Sequence, residues 1–327
     1  CLTGCYIIAS AILIYALASY DFSLVYVASY TDRLLPLFYR ITAFWAGQAG
    51  SMLFWAFSVA ICGGLFQLTR SYKSLTPDTR LICVMQVNNE SGAVMPLYEI
   101  AQLRDRLCPQ AMLHVDGVQG FLRVPMAFDK SGVDLYTCSG HKIHGPKGMG
   151  ALYVRKGLHL PAFLLGGGQE RHLRSGTENT PGIIGFGKAA ELATRNFDAR
   201  LEAMRACRKF LLNACKDEIA DIRVNSPQDE TACPSVLNIS FLGTRGEVLL
   251  HTLEQDGIYV STGSACSSNH ASAKGSHVLN AMGLSPKEIE GAIRFSFSEF
   301  NTIEEMEYTA EKLKAAVQRF RRLGSFR

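Results

Sequence analysis

A lysine just past a small-residue turn, at the end of an apolar stretch, can do one demanding kind of chemistry. Val133-Asp134-Leu135-Tyr136 leads to Ser139-Gly140-His141-Lys142, followed by a glycine-rich turn with Gly145, Gly148 and Gly150. An amine so placed can be buried enough to lose its proton and held toward one carbonyl, as Schiff-base chemistry requires. The ordinary alternative for any lysine is a solvated surface charge. Upstream, Leu113-His114-Val115-Asp116 reads as an apolar strand ending in an aspartate, with Gly117-Val118-Gln119 as the turn after it. A carboxylate at a strand end suits the ring nitrogen of pyridoxal phosphate, because the protonated ring is the electron sink. Ligand groups in open α/β sheets gather at the carboxyl ends of strands. Asp116 would equally suit a helix N-cap, and Gln119 a surface position. The third candidate is Cys266, within Ser261-Thr262-Gly263-Ser264-Ala265-Cys266-Ser267-Ser268. Its small polar neighbours suggest an exposed loop and a reactive thiol, with an inert loop cysteine as the plain alternative.

Strands and helices in alternation must position these groups. Leu81–Val87, Met112–Asp116, Leu135–Cys138 and Gly150–Val154 read as strands, with a helix over Leu97–Leu107. That order predicts an α/β sheet with parallel pairing. Pro181–Cys215 reads as mostly helical and leads to a smaller domain beginning near Asp221. That domain is expected to hold strands at Val236–Phe241 and Tyr259–Ser261 and to end in a helix over Ile303–Leu323.

From about Leu75 onward the chain resembles the NifS/IscS-type cysteine desulfurases of the class-V aminotransferase family. The resemblance is carried by Val87-Asn88-Asn89-Glu90, His114-Val115-Asp116, Ser139-Gly140-His141-Lys142, Arg174-Ser175-Gly176-Thr177, Gly263-Ser264-Ala265-Cys266-Ser267-Ser268, and Ile293-Arg294-Phe295-Ser296 with Asn301-Thr302. It implies the α/β, type I fold of pyridoxal-phosphate-dependent transferases. Here that would be a truncated large domain over residues 71–220 and a small C-terminal α+β domain over 221–327. It implies Lys142 as the residue that binds pyridoxal 5'-phosphate covalently and shuttles protons, and Asp116 as partner of the pyridine nitrogen. Gln119 would bond the phenolic oxygen, and Asn89 would line the cofactor and substrate. Ser139 and His141 would hold the phosphate, Thr177 would reach the phosphate of a partner subunit's cofactor, and Arg294 would bind the substrate carboxylate. Cys266 would attack the sulfur of L-cysteine, leaving alanine and a persulfide. The implied partners are a second copy of the chain in a homodimer and a sulfur-acceptor protein, either an iron–sulfur scaffold or a tRNA-thiolation protein.

Residues 1–70 read differently. Cys1 to Tyr20 carry no charge, and neither do Ile41 to Thr69, which hold Trp45 and Trp55. Two such runs in tandem predict two membrane-spanning helices before the soluble part, with a buried soluble helix as the alternative for each. Phe22-Ser23-Leu24-Val25-Tyr26-Val27-Ala28, Leu35-Pro36-Leu37-Phe38-Tyr39-Arg40 and Trp45-Ala46-Gly47-Gln48-Ala49-Gly50-Ser51 resemble the N-terminal part of CcmF-type cytochrome c haem lyases. The sequence therefore reads as two joined pieces meeting near Arg70 to Thr76, and its first residue, Cys1, suggests a fragment. No histidine precedes His114, so the ring-stacking histidine and the glycine-threonine phosphate loop implied by the resemblance have no counterpart.

Composition narrows the classes further. The chain has 327 residues, 48% of them hydrophobic, and a net charge of +4, too mild to argue for direct nucleic-acid binding. Its ten cysteines form no CxxC pair and no metal spacing. They point to a reducing, cytoplasmic setting for the enzyme part, with membrane association through residues 1–70. The alternatives to an active desulfurase are a catalytically impaired, truncated domain fused to a membrane fragment and a membrane protein of cytochrome c maturation.

Overall fold

Uncharged and rich in isoleucine, leucine and alanine, Leu2–Ser19 folds as an 18-residue helix, α1. The computed structural model describes residues 2–19, 21, 23, 24, 27, 36, 37, 75–229, 231–262 and 276–324. It divides into two units, Cys1–Leu75 and Thr76–Arg327. In the first unit Ala16, Leu17 and Val27 are buried together, while Ile12 and Tyr15 are exposed. At ~1.5 Å per residue, 18 residues span about 27 Å, short of the roughly 30 Å of a bilayer's hydrocarbon core. Among the described residues no helix is long and apolar enough to cross a membrane. The expected first span is thus a helix but not a demonstrated crossing. The second, over 41–69 with Trp45 and Trp55, lies outside the described residues, as do most residues carrying the haem-lyase resemblance.

The second unit contains two sheets. Leu81–Met85 (β1), Met112–Asp116 (β2), Leu135–Ser139 (β3) and Gly150–Val154 (β4) form the first, in the order β1-β2-β3-β4. β1 and β2 pair in parallel, as do β2 and β3, with Asp116 opposite Thr137. β4 runs antiparallel to β3, which corrects the expectation of parallel pairing throughout. Residues 140–149 are too few for a crossover, since a parallel return takes a dozen residues or more. The helix α2 (Leu97–Leu107) carries Glu99 in its first turn and Arg104 and Arg106 in its last, matching the helix dipole. Its Leu97 and Ala101 pack with Leu113, Val115 and Tyr136 of the sheet and with Val133 just before β3. The fully buried Tyr136 donates its hydroxyl to Gln86 Oε1 at 2.7 Å. Its ring needs Gly117: a Cβ there would lie 1.8 Å from Tyr136 Cζ.

Two helices, α3 (Thr180–Arg195) and α4 (Phe197–Glu218), lead to the second sheet. Asn179 caps α3 by accepting the Gly182 N–H. The sheet comprises Ile222–Val224 (β5), Val236–Phe241 (β6) and Ala292–Ser296 (β7), all antiparallel. Among the described residues, three helices separate β6 from β7: α5 (Gly246–Gln255), α6 (His277–Ala281) and α7 (Pro286–Glu290). The C-terminal α8 (Ile303–Gly324) follows. Every residue of β6 is buried, and its Leu237, Ile239 and Phe241 share a core with Leu211 of α4, Leu249 of α5 and Leu313 of α8. Asn238, in the middle of that strand, is satisfied by Asn225 at 2.8 Å and by the Glu90 carbonyl at 3.2 Å. The strand expected at Tyr259–Ser261 is reduced to an isolated bridge between Ser261 and Arg294.

Candidate active site

Three parallel strands end at one edge of the first sheet, and the candidate residues follow those ends. Val87-Asn88-Asn89 comes just after β1, β2 ends on Asp116, and β3 ends on Ser139 before the 3-10 turn Gly140–Ile143, which contains His141 and Lys142. Asp116 is half-buried, and its Oδ1 accepts the Val118 N–H at 3.0 Å. The Gly117 N–H reaches the Thr137 carbonyl at 2.8 Å, and the Gly120 and Phe121 N–H groups close on the Gly117 carbonyl at 2.9 and 2.7 Å. Asp116 therefore does cap a turn, and the same turn holds its carboxylate at the edge of the sheet.

Lys142 is half-buried, and its carbonyl accepts Arg123 Nη2 at 2.5 Å. Arg123 Nη1 reaches Gln119 Oε1 at 3.3 Å. One guanidinium thus ties the turn after β2 to the turn after β3. Burial lowers the Arg123 pKa below the ordinary arginine value, and such a group stays charged at neutral pH. Ser139 Oγ lies 2.8 Å from His141 Nδ1, pairing the two groups expected to hold a phosphate. Two residues past Lys142, His144 adopts a left-handed conformation and places Nε2 3.5 Å from Glu299. Glu299 also accepts Arg200 Nε at 2.8 Å. Burial raises the Glu299 pKa, but the Arg200 hydrogen bond, a backbone hydrogen bond and the charges of Arg200 and His144 together outweigh it and leave the carboxyl below its usual range.

Asn89 joins the same edge through its backbone: its carbonyl accepts Arg294 Nη1 at 3.0 Å. Arg294 lies on β7 and exchanges two backbone bonds with Ser261, at 2.6 and 3.1 Å. Asn89, Asp116, Gln119, Ser139, His141 and Lys142 therefore sit at or just beyond one sheet edge, with Arg294 bonded to it. Thr177 is exposed in the segment before α3, and no described hydrogen bond brings it to the others. Cys266 and its neighbours Gly263 to Ser268 lie outside the described residues. Cys138, beside Ser139, is half-buried, and burial pushes its thiol pKa up, so it is a poor nucleophile. Sequence reasoning missed Arg123, His144 and Glu299. Arg123 had one legible sign, its position four residues after Gln119 on a turn.

The donor set fits pyridoxal phosphate. A carboxylate at a strand end, an amine in the adjacent turn and a hydroxyl–imidazole pair between them are the groups that a pyridinium nitrogen, an aldehyde and a phosphate require.

The chain is similar to known proteins over most of its length. The aminotransferase class-V model matches residues 60–309. The cysteine desulfurase IscS of Dictyoglomus turgidum is 38% identical over 255 residues, covering 78% of this chain and 64% of that protein. A cysteine desulfurase of Trichormus azollae is 40% identical over 265 residues, covering 81% and 65%. Among solved structures, a NifS-like protein superposes with a TM-score of 0.67 at 35% identity, over 75% of this chain and 63% of that one. The NifS-like protein of Rickettsia africae gives 0.66 at 31%, over 75% and 64%. The chain thus spans just under two thirds of the length of these relatives. Their shared fold is the α/β, type I fold of pyridoxal-phosphate-dependent enzymes. With the match covering most of its length and the candidate groups gathered at one edge of its parallel strands, the chain belongs to the class-V aminotransferase family.

Proposed function

We propose that the chain is a pyridoxal-phosphate-dependent cysteine desulfurase, which takes sulfur from L-cysteine onto Cys266 and releases alanine. One observation carries the reading: Asn89, Asp116 and the Ser139–Lys142 turn follow the carboxyl ends of three adjacent parallel strands. Bound pyridoxal phosphate would supply an electron sink for the electrons freed at the substrate Cα. Asp116 would hold the ring nitrogen, Gln119 the phenolic oxygen, and Ser139 and His141 the phosphate. Arg123, bonded to the Lys142 carbonyl, keeps the lysine turn in place. The Lys142 amine would bind the cofactor and move the Cα proton, and Arg294 would clamp the substrate carboxylate. The Cys266 thiolate then attacks sulfur: the substrate Cβ–S bond breaks, an S–S bond forms and Cβ takes up a proton. The carbon is reduced as the sulfur is oxidised, so no outside oxidant is required.

The partners follow from the same reading. The persulfide would pass to an acceptor protein, a scaffold for iron–sulfur clusters or a tRNA-thiolation protein. A homodimer is supported by the exposed Phe163 and Leu165, 83% and 90% accessible, in a segment bonded to Leu173 and Ser175 just before Thr177. We place the large domain at 71–220 and the small one at 221–327. For residues 1–70 we propose a membrane-associating segment similar to the start of CcmF, which rests on the uncharged α1; flotation with lipid vesicles tests it.

The central test is spectroscopic and chemical. Purified protein given pyridoxal phosphate should gain a violet-region absorbance, and Lys142→Ala should remove it. With dithiothreitol added to reduce the persulfide, L-cysteine should yield alanine and sulfide in equal amounts, and Cys266→Ser should keep the absorbance while ending sulfide release. An unchanged band in Lys142→Ala would refute the cofactor assignment, and unchanged sulfur release in Cys266→Ser would refute the thiol's role.

A further inference from the structure

His144 ends the 3-10 turn that carries Lys142, and it does so in a left-handed conformation, φ 64° and ψ 18°. Glycine takes that conformation at the least cost, so a histidine there is to be understood from what its ring touches. The ring lies against the segment that follows β7. Its Nε2 is 3.5 Å from Glu299 Oε2, and it meets the Phe300 ring edge-on with 5.0 Å between centroids. Glu299 is itself held firmly. Its Oε1 accepts Arg200 Nε at 2.8 Å, and the buried Arg200 of α4 gives Nη1 to the Ala193 carbonyl at 2.9 Å and to the Leu122 carbonyl at 3.4 Å. Leu122 precedes Arg123, whose guanidinium holds the Lys142 carbonyl. The lysine turn is thus gripped along its length: the Gly140 N–H on the Met149 carbonyl at 2.9 Å, the Lys142 carbonyl on Arg123, and the His144 ring on Glu299 and Phe300. The last of these grips reaches the segment just past the strand of Arg294.

We propose that His144 is a positioning residue for Lys142: by resting on Glu299 and Phe300 it latches the lysine turn to the segment after β7. This rests on the reading of Lys142 as the cofactor-binding amine. His144 acts through the backbone it shares with Lys142, two residues back, and transfers no proton. The latch gives the amine and the candidate carboxylate clamp a common reference, because Glu299 and Phe300 follow Arg294 within six residues and the imidazole ties them to the lysine turn.

The test compares His144→Asn, Glu299→Gln and their double variant with the parent, all in the full chain. Asparagine tolerates the left-handed backbone, so His144→Asn should keep the parental midpoint in urea. Glu299→Gln keeps an oxygen for Arg200 and removes the charge opposite His144. The first readout needs no cofactor. Amide hydrogen exchange at Gly145, whose N–H closes on the Gly140 carbonyl at 2.9 Å, should quicken about fivefold in His144→Asn, the scale of one partly exposed ion pair with one ring contact. The second readout uses pyridoxal phosphate alone. The rate at which the violet-region absorbance appears should fall by a similar factor, with the Lys142 adduct trapped by borohydride and located by peptide mass spectrometry. Glu299→Gln should move both readouts in the same direction, and the double variant should match His144→Asn. A ring that only supports the fold would instead lower the urea midpoint and leave the adduct rate alone, and that pattern would overturn the proposal. So would exchange at the parental rate in His144→Asn, or additive effects in the double variant. A parent that forms no Lys142 adduct would sink the cofactor reading; faster exchange in His144→Asn would then leave the latch standing, and unchanged exchange would remove it too.

Discussion

Asp134 shows how single side chains hold the site's platform. It is 2% exposed and accepts the Leu113 N–H at 2.7 Å, Arg104 Nη1 at 2.6 Å and Arg155 Nε at 2.6 Å. Burial alone would raise its pKa, but the Leu113 and Arg155 hydrogen bonds and the Arg104 and Arg155 charges together outweigh it, and the folded pKa lies below the usual aspartate range. A depressed carboxyl contributes stability that is present above the unfolded pKa, near 3.9, and is lost as pH falls through the folded value. Asp134→Asn removes one of the two carboxylates bonded to Arg104, with Asp105 still 2.6 Å from its Nε, and losing a hydrogen bond between charged groups costs about 1.5–3 kcal/mol. Urea denaturation at pH 7 should show that loss, and the gap to the parent should narrow at pH 3. A gap that does not change with pH would contradict this account.

At the scale of elements, the turn after β1 shows how a short segment links the first sheet to the strand region of the second. Gly92 has a φ of +73°, and a Cβ there would lie 2.9 Å from Val236 Cβ. Its carbonyl accepts the Cys233 N–H at 2.8 Å, and Ala93 forms a bridge with Ala232. Gly92→Ala should therefore destabilise the protein by roughly 1–3 kcal/mol, visible as a lower midpoint in chemical denaturation. Such elements were only partly legible in the sequence. α2, β2, β4 and β6 match their expected limits residue for residue, because dense apolar runs with clear turn residues mark them. β5, with three residues, is too short to carry an alternation. β7 was seen as a motif around Arg294 but not as a strand, since its partner β6 lies more than fifty residues earlier in the chain. Tyr259 to Ser261 failed the other way: among the described residues this segment makes one bridge, Ser261 to Arg294, on the edge of β7 away from β6. For the site, the strand-end residues could be read from local pattern. The Arg123 and Glu299 ties could not, because they depend on which turns the fold brings side by side.

At the scale of the whole molecule, a cofactor that binds only the folded state should stabilise it by mass action. Pyridoxal phosphate at one hundred times its dissociation constant adds about 2.7 kcal/mol. The thermal midpoint should rise with cofactor concentration in the parent and much less in Lys142→Ala, measured by differential scanning fluorimetry; an equal rise in both would mean adventitious binding. The first sheet also has two ends of different character. Asp134 with Arg104 and Arg155 lies where β3 begins, and Ser139 with His141 and Lys142 lies where it finishes. Five residues separate them, roughly 16 Å of extended chain. Asp134 is held by Arg104 and Arg155, and Ser139 by His141, so the two ends rest on different partners. Inheritance can therefore vary these ends separately: under the proposed function, damage at the Ser139 end should show as lost turnover and damage at the ionic end as unfolding.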